Sequence, residues 1–252
     1  SASSTATAMP VAAGPTVMRR TFFLPLRRPF RLAIYANIYI IFTTFARLMF
    51  NESITPEEIG KLEMAAFKGR IHVITEAGPA FDRAIRYLRR EKVIGFDTET
   101  RPTFMPRQPR YDVSLLQLSG SEHAYLFRIN KLGMHKRLCS LLSDPNIIKV
   151  GAAVHDDIRG LQKHSQFNAG GFVDLQKEVA QWGIRDKSVK KMAGIILGIR
   201  ISKSQQLSNW EAECLSDAQQ LYAATDAWVC LEMYRKLLAS EKNPLPVEEP
   251  VL

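Results

Sequence analysis

Cysteine is scarce in this sequence: the chain has three, Cys139, Cys214 and Cys230. They are widely spaced, none belongs to a Cys-x-x-Cys pair, and no cluster of histidines accompanies them, so the ligands of a structural zinc site are missing. An odd number of isolated cysteines is typical of a reducing compartment. We therefore predict reduced thiols buried in the core and no zinc.

The glycine and serine signatures of several enzyme classes are also absent. The sequence has no Walker-type phosphate loop, Rossmann glycine fingerprint, hydrolase serine elbow or zinc-protease signature. The sequence therefore gives no support for the enzyme classes that depend on these motifs.

Acidic residues are missing from the first 51 positions, although that stretch carries six arginines. Residues 1–31 are rich in serine, alanine, threonine and proline, and an apolar run from Leu32 to Ala46 follows them. The run is shorter than the roughly 20 residues that a membrane-spanning helix needs, so membrane contact is not expected. Two interpretations stay open: a transit peptide or interfacial helix, or a disordered segment without a function. We expect a cytoplasmic protein, or a nuclear or organellar one if the segment is a targeting signal.

The chain is long enough for one globular domain with additional segments. Its 252 residues are 46% hydrophobic and 23% charged, values typical of folded proteins. The formal net charge of +9 is unevenly distributed, because the amino-terminal arginines supply most of it and the remainder is mildly basic. We predict a basic and apolar segment over 1–51, a folded domain over 52–240 and an extended tail over 241–252.

Hydrophobic patterning from residue 52 onward alternates between strand and helix periods, which indicates an α/β fold. Thr55 and Pro56 carry a helix-start signature, and three consecutive strands separated by turns predict an antiparallel meander. The predicted strands are 71–75, 92–100, 113–118, 123–129, 147–154 and 171–175, and the predicted helices are 79–90, 130–142, 155–164, 188–197 and 216–238.

Two acidic residues, Asp97 and Glu99, stand at the end of a strand that begins apolar and β-branched. Side chains two apart on a strand leave the same face, so both can reach one metal cluster. Magnesium and manganese prefer such oxygen ligands, and two ions can stabilise the attacking and departing oxygens of a phosphodiester displacement. Solvated acids at a strand end give the same pattern, so this pair alone is not specific.

A second pair, Tyr222 and Asp226, lies one turn apart on the last predicted helix and shares a face. The carboxylate of Asp226 can bind metal, and the phenol of Tyr222 can aim an attacking water at phosphorus. Ordinary packing and solvation are the alternatives for this pair.

Two adjacent acids, Asp156 and Asp157, open a helix after a buried strand. Adjacent helical residues diverge by about 100°. Only one of the two can therefore reach the same metals, and spacing does not say which.

Taken in order, the three signals resemble the motifs of the DEDDy 3′→5′ exonucleases, in particular the Werner-type and ribonuclease D-type families. The motifs are FDTET at 96–100, GAAVHDDIRGL at 151–161 and LYAATDA at 221–227. The sequence SNW at 208–210 strengthens the Werner-type likeness. The family's second aspartate precedes a leucine by four positions, as Asp157 precedes Leu161, which favours Asp157 over Asp156. The resemblance covers about residues 69–238.

The resemblance implies a ribonuclease H-like, DnaQ-like fold with a mixed sheet flanked by helices and two magnesium or manganese ions. It implies four metal ligands: Asp97, Glu99, Asp157 and Asp226. Tyr222 would orient the water that attacks the terminal phosphodiester of a 3′ end, releasing nucleoside monophosphates. We expect DNA rather than RNA as the substrate, because this sequence resembles the Werner-type group more than the ribonuclease D-type group. Ala153 and Asp156 depart from the pattern, since many relatives carry glycine there.

Further residues near the motifs are candidates for contacting the nucleic acid. Phe104 can stack on the terminal base and Lys203 can contact a phosphate, with packing and solvation as their alternatives. Arg101, Arg107 and Arg110 follow the first motif and can also reach phosphates. No helicase domain or carboxy-terminal ribonuclease D module has room here, so the domain itself is expected to bind the strand. A separate helicase partner is compatible with the sequence but not indicated by it.

Two other functions stay open. The first is trimming of RNA 3′ ends in the manner of ribonuclease D, because no motif reveals contacts to the 2′-hydroxyl. The second is a nucleic-acid-binding module with weak or no catalysis. Metal-dependent shortening of an end-labelled strand separates an enzyme from such a module.

Overall fold

The computed structural model describes residues 49–104 and 111–245. The strands in these ranges are β1 (Glu63–Met64), β2 (Arg70–Ile74), β3 (Val93–Thr100), β4 (Val113–Ser119), β5 (His123–Arg128), β6 (Ile148–Gly151), β7 (Phe172–Asp174) and β8 (Ile199–Arg200). The helices are α1 (Pro56–Lys61), α2 (Pro79–Leu88), α3 (Ile129–Leu132), α4 (Lys136–Ser143), α5 (Val154–His164), α6 (Leu175–Glu178), α7 (Val189–Leu197) and α8 (Asp217–Leu238), with a 3₁₀ helix at Val179–Trp182.

Six strands form one mixed sheet in the order β2-β5-β4-β3-β6-β7. Strands β3, β4 and β5 pair antiparallel, which confirms the predicted meander. Strand β2 runs parallel to β5, and β6 and β7 continue the sheet in parallel beyond β3. The predicted mixed α/β fold is therefore confirmed, with β3 in the interior of the sheet.

Helices cover both faces of this sheet. Side chains of β3 alternate, so Phe96 packs into the core beneath α2, α4 and α5, whereas Asp97 faces α8. The face of the sheet that carries Phe96 is covered by apolar residues such as Phe81, Leu138 and Leu161. The acidic residues of the first motif consequently lie under α8 and outside the largest apolar cluster.

Helix α8 lies unusually close to β3. A capping box at Ser216 and Gln219 begins the helix. Its buried face carries small residues, among them Ala223 and Ala227, and a Cβ added at Gly95 would overlap the carbonyl oxygen of Ala227. A glycine in a strand interior often marks such a close approach of two backbones. This approach sets the depth at which α8 lies over the sheet.

The predicted helix over 130–142 is wrong as a single element. Gly133 takes a left-handed conformation, with φ 68°, and ends α3. His135 then caps α4, its Nδ1 accepting a hydrogen bond from the backbone N–H of Arg137. The predicted strand over 147–154 is also too long, because it ends at Gly151 and Val154 already begins α5.

The cysteines are free thiols, but they are not all in the core. Cys230 is buried, as predicted, and Cys139 is half-buried. Cys214 is exposed, so its prediction as a core thiol is wrong. It lies in the loop before α8, where its neighbour Leu215 supplies the buried side chain instead.

Most of the predicted amino-terminal segment, residues 1–51, lies outside the described residues, as does the predicted tail from 246 onward. The start of the tail contacts the domain, because the N–H of Leu245 donates to the carbonyl of Ala180 at 3.1 Å. Over 49–104 and 111–245, no helix combines the length and apolar character that a membrane span requires.

Candidate active site

Three carboxylates converge where β3 passes beneath α8. Ligand oxygens of Asp97, Glu99 and Asp226 all lie within 4.8 Å of one another. Asp97 and Glu99 share a face of β3 because they are two residues apart, and Asp226 comes from the buried face of α8. The structure thus brings together three of the four predicted ligands from the first and third motifs.

This group of oxygens fits a hard divalent cation. Among the described residues, Oδ1 of Asp226 is buried without a hydrogen-bond partner. A buried carboxylate oxygen without a partner is costly, and a cation would satisfy it. Clustered carboxylate oxygens are the donors that magnesium and manganese prefer.

Electrostatics at the cluster oppose ionisation in the absence of a cation. Protein atoms surround the carboxyl groups, and this desolvation raises the pKa of Asp97 well above its usual value, with the charges of Asp226 and Asp157 adding to it. Desolvation and the charge of Asp97 raise the pKa of Glu99 to about 10. Strongly perturbed acids in one cluster are typical of functional sites.

Asp157 lies on α5 beside these three residues. Its Oδ1 accepts a hydrogen bond from the hydroxyl of Thr98, and its charge raises the pKa of both Asp97 and Glu99. Desolvation raises the pKa of Asp157 to about 6, while the Thr98 hydrogen bond opposes that rise. Asp156 is exposed. Asp157 is thus half-buried and hydrogen-bonded to a residue of the first motif, whereas Asp156 is exposed, and both aspartates line the cleft beside the three clustered carboxylates.

Tyr222 is buried one turn before Asp226, with 5% of its surface exposed. Its ring packs against the fully buried Trp210, with centroids 5.9 Å apart. Burial and the charges of Asp226 and Glu99 raise the pKa of its phenol. The hydroxyl consequently stays protonated and can donate a hydrogen bond, which suits positioning of a water better than proton abstraction.

Lys203 lies at the carboxylates and not in bulk solvent. Its Nζ is 3.4 Å from Oδ2 of Asp226 and 5.6 Å from the centre of the Tyr222 ring. The loop that carries it is anchored further along by the buried Trp210 and by Arg128, which donates to the carbonyl of Ala212 at 2.6 Å. A phosphate held at the cluster would therefore lie within reach of this ammonium group.

A polar cleft of about 510 Å³ opens on the Asp157 side of the site. Its lining includes Thr100, Arg101 and Lys163. Arg101 pairs with Glu211 at 3.3 Å. Phe104 is 72% exposed, so it is not part of the core and is free to meet a base. The predicted contacts at positions 107 and 110 lie outside the described residues.

Three residues around the site had no predicted role. The hydroxyl of Thr98 donates a hydrogen bond to Asp157, and Gly95 leaves room for the backbone of α8. Gln117 lies directly opposite Asp97 in the register of β3 and β4. Gln117 is fully buried, and neither atom of its side-chain amide has a hydrogen-bond partner among the described residues. A glycine and a glutamine inside apolar strand runs were the signals available in the sequence.

The mixed sheet and its carboxylate cluster define a nuclease of the ribonuclease H-like class. Residues 73–240 match a protein-family model described as 3′-5′ exonuclease. The chain belongs to this 3′-5′ exonuclease family. The predicted DEDDy-type class and fold are confirmed.

Known proteins of this kind are similar to part of the chain. The bifunctional 3′-5′ exonuclease/ATP-dependent helicase WRN of Mus musculus is 33% identical over 152 residues, 58% of this chain and 11% of the mouse protein. DNA polymerase I of Aquifex aeolicus is 28% identical over 155 residues, 62% of this chain and 25% of that protein. The crystal structure of Escherichia coli RNase D, an exoribonuclease involved in structured RNA processing, has 26% identity and a TM-score of 0.60, covering 68% of this chain and 44% of that one. The chain thus spans a minor part of each of these proteins.

Proposed function

We propose that this chain degrades DNA from the 3′ end, in preference to RNA, by a mechanism that uses two magnesium or manganese ions. The observation that carries the proposal is the convergence of the carboxylates of Asp97, Glu99 and Asp226 within 4.8 Å. Asp157 completes the set from α5. Likeness to the WRN exonuclease and to a DNA polymerase supports DNA as the substrate.

Each side chain at the site has its own role in hydrolysis. When bound, the metal ions would activate a water and stabilise charge on the phosphodiester oxygens. The buried phenol of Tyr222 donates a hydrogen bond that orients the water, and Lys203 contacts the substrate phosphate. The exposed Phe104 stacks on the terminal base. Release of one nucleoside monophosphate follows each displacement.

A second candidate substrate is the 3′ end of RNA. Likeness to Escherichia coli RNase D, at 26% identity and a TM-score of 0.60, favours it. Both substrates carry the same scissile phosphodiester, so the carboxylate cluster serves either one, and contacts near the 2′-hydroxyl decide between them.

The test is a cleavage assay with 5′-labelled DNA, single-stranded and with a recessed 3′ end, beside RNA of matched sequence. Magnesium or manganese should produce a ladder of single-nucleotide steps, faster on DNA. Asp97→Asn and Asp157→Asn should each reduce the rate by about 100-fold or more, because each removes a ligand charge. Asp156→Asn is the matched control, since this exposed neighbour should leave the rate within a few-fold of wild type.

Each alternative gives a distinct result in the same assay. A faster ladder on RNA would replace DNA as the preferred substrate. Binding of labelled strands without any shortening in either metal would reject the nuclease proposal and favour a binding module.

A further inference from the structure

The ammonium group of Lys203 lies beside a carboxylate that would bind a metal ion. Its ammonium lies 3.4 Å from Oδ2 of Asp226, whose side chain is 5% exposed. Among the ion pairs of residues 49–104 and 111–245, no other cation pairs with Asp97, Glu99 or Asp226. In the absence of metal, Lys203 therefore supplies the positive charge beside the carboxylate of Asp226.

A divalent ion at Oδ1 of Asp226, the oxygen without a partner, would lie close to the ammonium on Oδ2 and weaken its hold on the carboxylate. Magnesium binds carboxylate oxygens at about 2.0 to 2.1 Å, so an ion on Asp226 would lie within a few ångströms of Nζ. Two cations at that separation, in surroundings less polar than water, repel each other strongly. The ion carries the larger charge and can bind several carboxylates at once, so the ammonium is the group that leaves.

The surroundings of Lys203 permit that movement without a change in the fold. The buried Ile201 and Trp210 hold the loop on either side, while the neighbours Ser202 and Ser204 are exposed. The Lys203 side chain is itself 33% exposed. A lysine has a flexible four-carbon stem, so its charge can swing outward while the backbone stays in place.

We propose that Lys203 and the divalent metal exchange places: the ammonium neutralises the carboxylate of Asp226 in the metal-free protein, and metal binding releases it to contact the substrate phosphate. This inference rests on the proposed function for the identity of the metal and the substrate. It makes metal and nucleic acid bind cooperatively, since metal binding frees the cation that the substrate needs.

Lysine acetylation read by mass spectrometry tests the exchange in the wild-type protein. Acetylation of Lys203 by N-hydroxysuccinimide acetate should be slow in EDTA and several-fold faster in saturating Mn²⁺. It should become slow again when a DNA strand with a phosphorothioate at its terminal linkage is added. Lys191 is the matched control, because it pairs with Asp186 at 2.7 Å and is 38% exposed but lies on α7, outside the cluster. Its acetylation should not respond to metal.

Metal affinity gives an independent measurement. Calorimetric titration of Lys203→Met with Mn²⁺ at pH 8 should show about tenfold tighter binding than wild type, a typical coupling between two sites. Lys191→Met should bind as wild type does. Thermal melting in EDTA establishes that both variants are folded.

The two proposals fail in different ways. If Mn²⁺ binds the wild-type protein but leaves Lys203 acetylation unchanged, or if Lys203→Met binds Mn²⁺ no more tightly, the exchange is rejected and the metal site stands. If calorimetry detects no Mn²⁺ binding to the wild-type protein, both the exchange and the two-metal mechanism are rejected.

Discussion

Thr98 donates a hydrogen bond from its hydroxyl to Asp157, across the strand from the face that carries Asp97 and Glu99. Side chains alternate along a strand, so the side chains of the three consecutive residues Asp97, Thr98 and Glu99 of β3 are divided between the two faces of the sheet. Two of them face α8 as predicted ligands, and the one between them holds the predicted ligand on α5. The position of Asp157 thus depends on a neutral side chain within the first motif.

Replacing Thr98 with valine keeps the shape of the side chain and removes this hydrogen bond. The bond lowers the pKa of Asp157, which desolvation raises to about 6, so its loss should raise that pKa further. More alkaline conditions are then needed to ionise Asp157. At subsaturating metal, the acid limb of the pH profile of kcat/KM should move upward by about 0.5 to 1 pH unit. Thr75→Val, at an exposed position after β2, is the control, and an unmoved acid limb would contradict the assigned role of Thr98.

The metal-free protein should lose stability as the pH rises through the range set by its clustered acids. Their pKa values are higher in the folded than in the unfolded chain, so the folded state binds more protons and the free energy of unfolding falls with rising pH. The contribution of Asp157 is lost between about pH 4 and 6, and that of Glu99 between about pH 4.5 and 10.

Urea unfolding in EDTA at pH 6 and pH 9 measures this effect. Glu99→Gln should reduce the difference between the two pH values, because it removes one of the titrating groups. Mn²⁺ should stabilise wild type more at pH 9 than at pH 6, since fewer protons compete for the ligands. Equal metal stabilisation at both values would show that the carboxylates do not bind the ion.

The close packing of α8 on β3 predicts a severe effect of Gly95→Ala. The new Cβ would overlap the carbonyl of Ala227 and push the helix outward. We expect a loss of about 3 kcal/mol in the free energy of unfolding and, in the folded fraction, about 100-fold lower activity because Asp226 moves with the helix.

Gly60→Ala provides the comparison for this variant. Gly60 lies in α1, and a Cβ there would meet no atom within 4 Å. Alanine favours a helix, so this change should stabilise the protein by up to about 1 kcal/mol. Similar unfolding curves for the two variants would show that α8 does not need a glycine at position 95.

Ala153 adopts a left-handed conformation, with φ 58° and ψ 32°, at the amino-terminal end of α5. Its N–H donates to Asp174 at 3.0 Å. The left-handed region costs a residue with a side chain about 1 to 2 kcal/mol, so Ala153→Gly should stabilise the fold by about 0.5 to 1 kcal/mol despite the added freedom of the unfolded chain.

Equilibrium unfolding in urea measures this gain. Ala239→Gly, where φ is −84°, is the control and should destabilise the protein, because alanine is unstrained there. The same sign for both variants would exclude backbone strain at Ala153.

Local patterns were sufficient for the types of most elements. The apolar spacing of α8 and its Ser216 cap are contained in a short stretch of sequence, as is the acidic end of β3. The break at Gly133 was missed because a helical pattern continues across it. The pairing of β1 with β8 was missed because each strand has two residues and is formed by a contact distant in sequence.

The sequence by itself determined which residues this protein has for its chemistry: two acids with strand spacing, a tyrosine and an acid with helical spacing, and an order of motifs that identifies the class. Only the tertiary structure decided which side chains meet. The hydrogen bond of Thr98 to Asp157 and the pairing of Lys203 with Asp226 depend on how α5, α8 and the loop before α8 pack on the sheet. Such packing joins residues far apart in the chain, so no periodicity within a short window contains it.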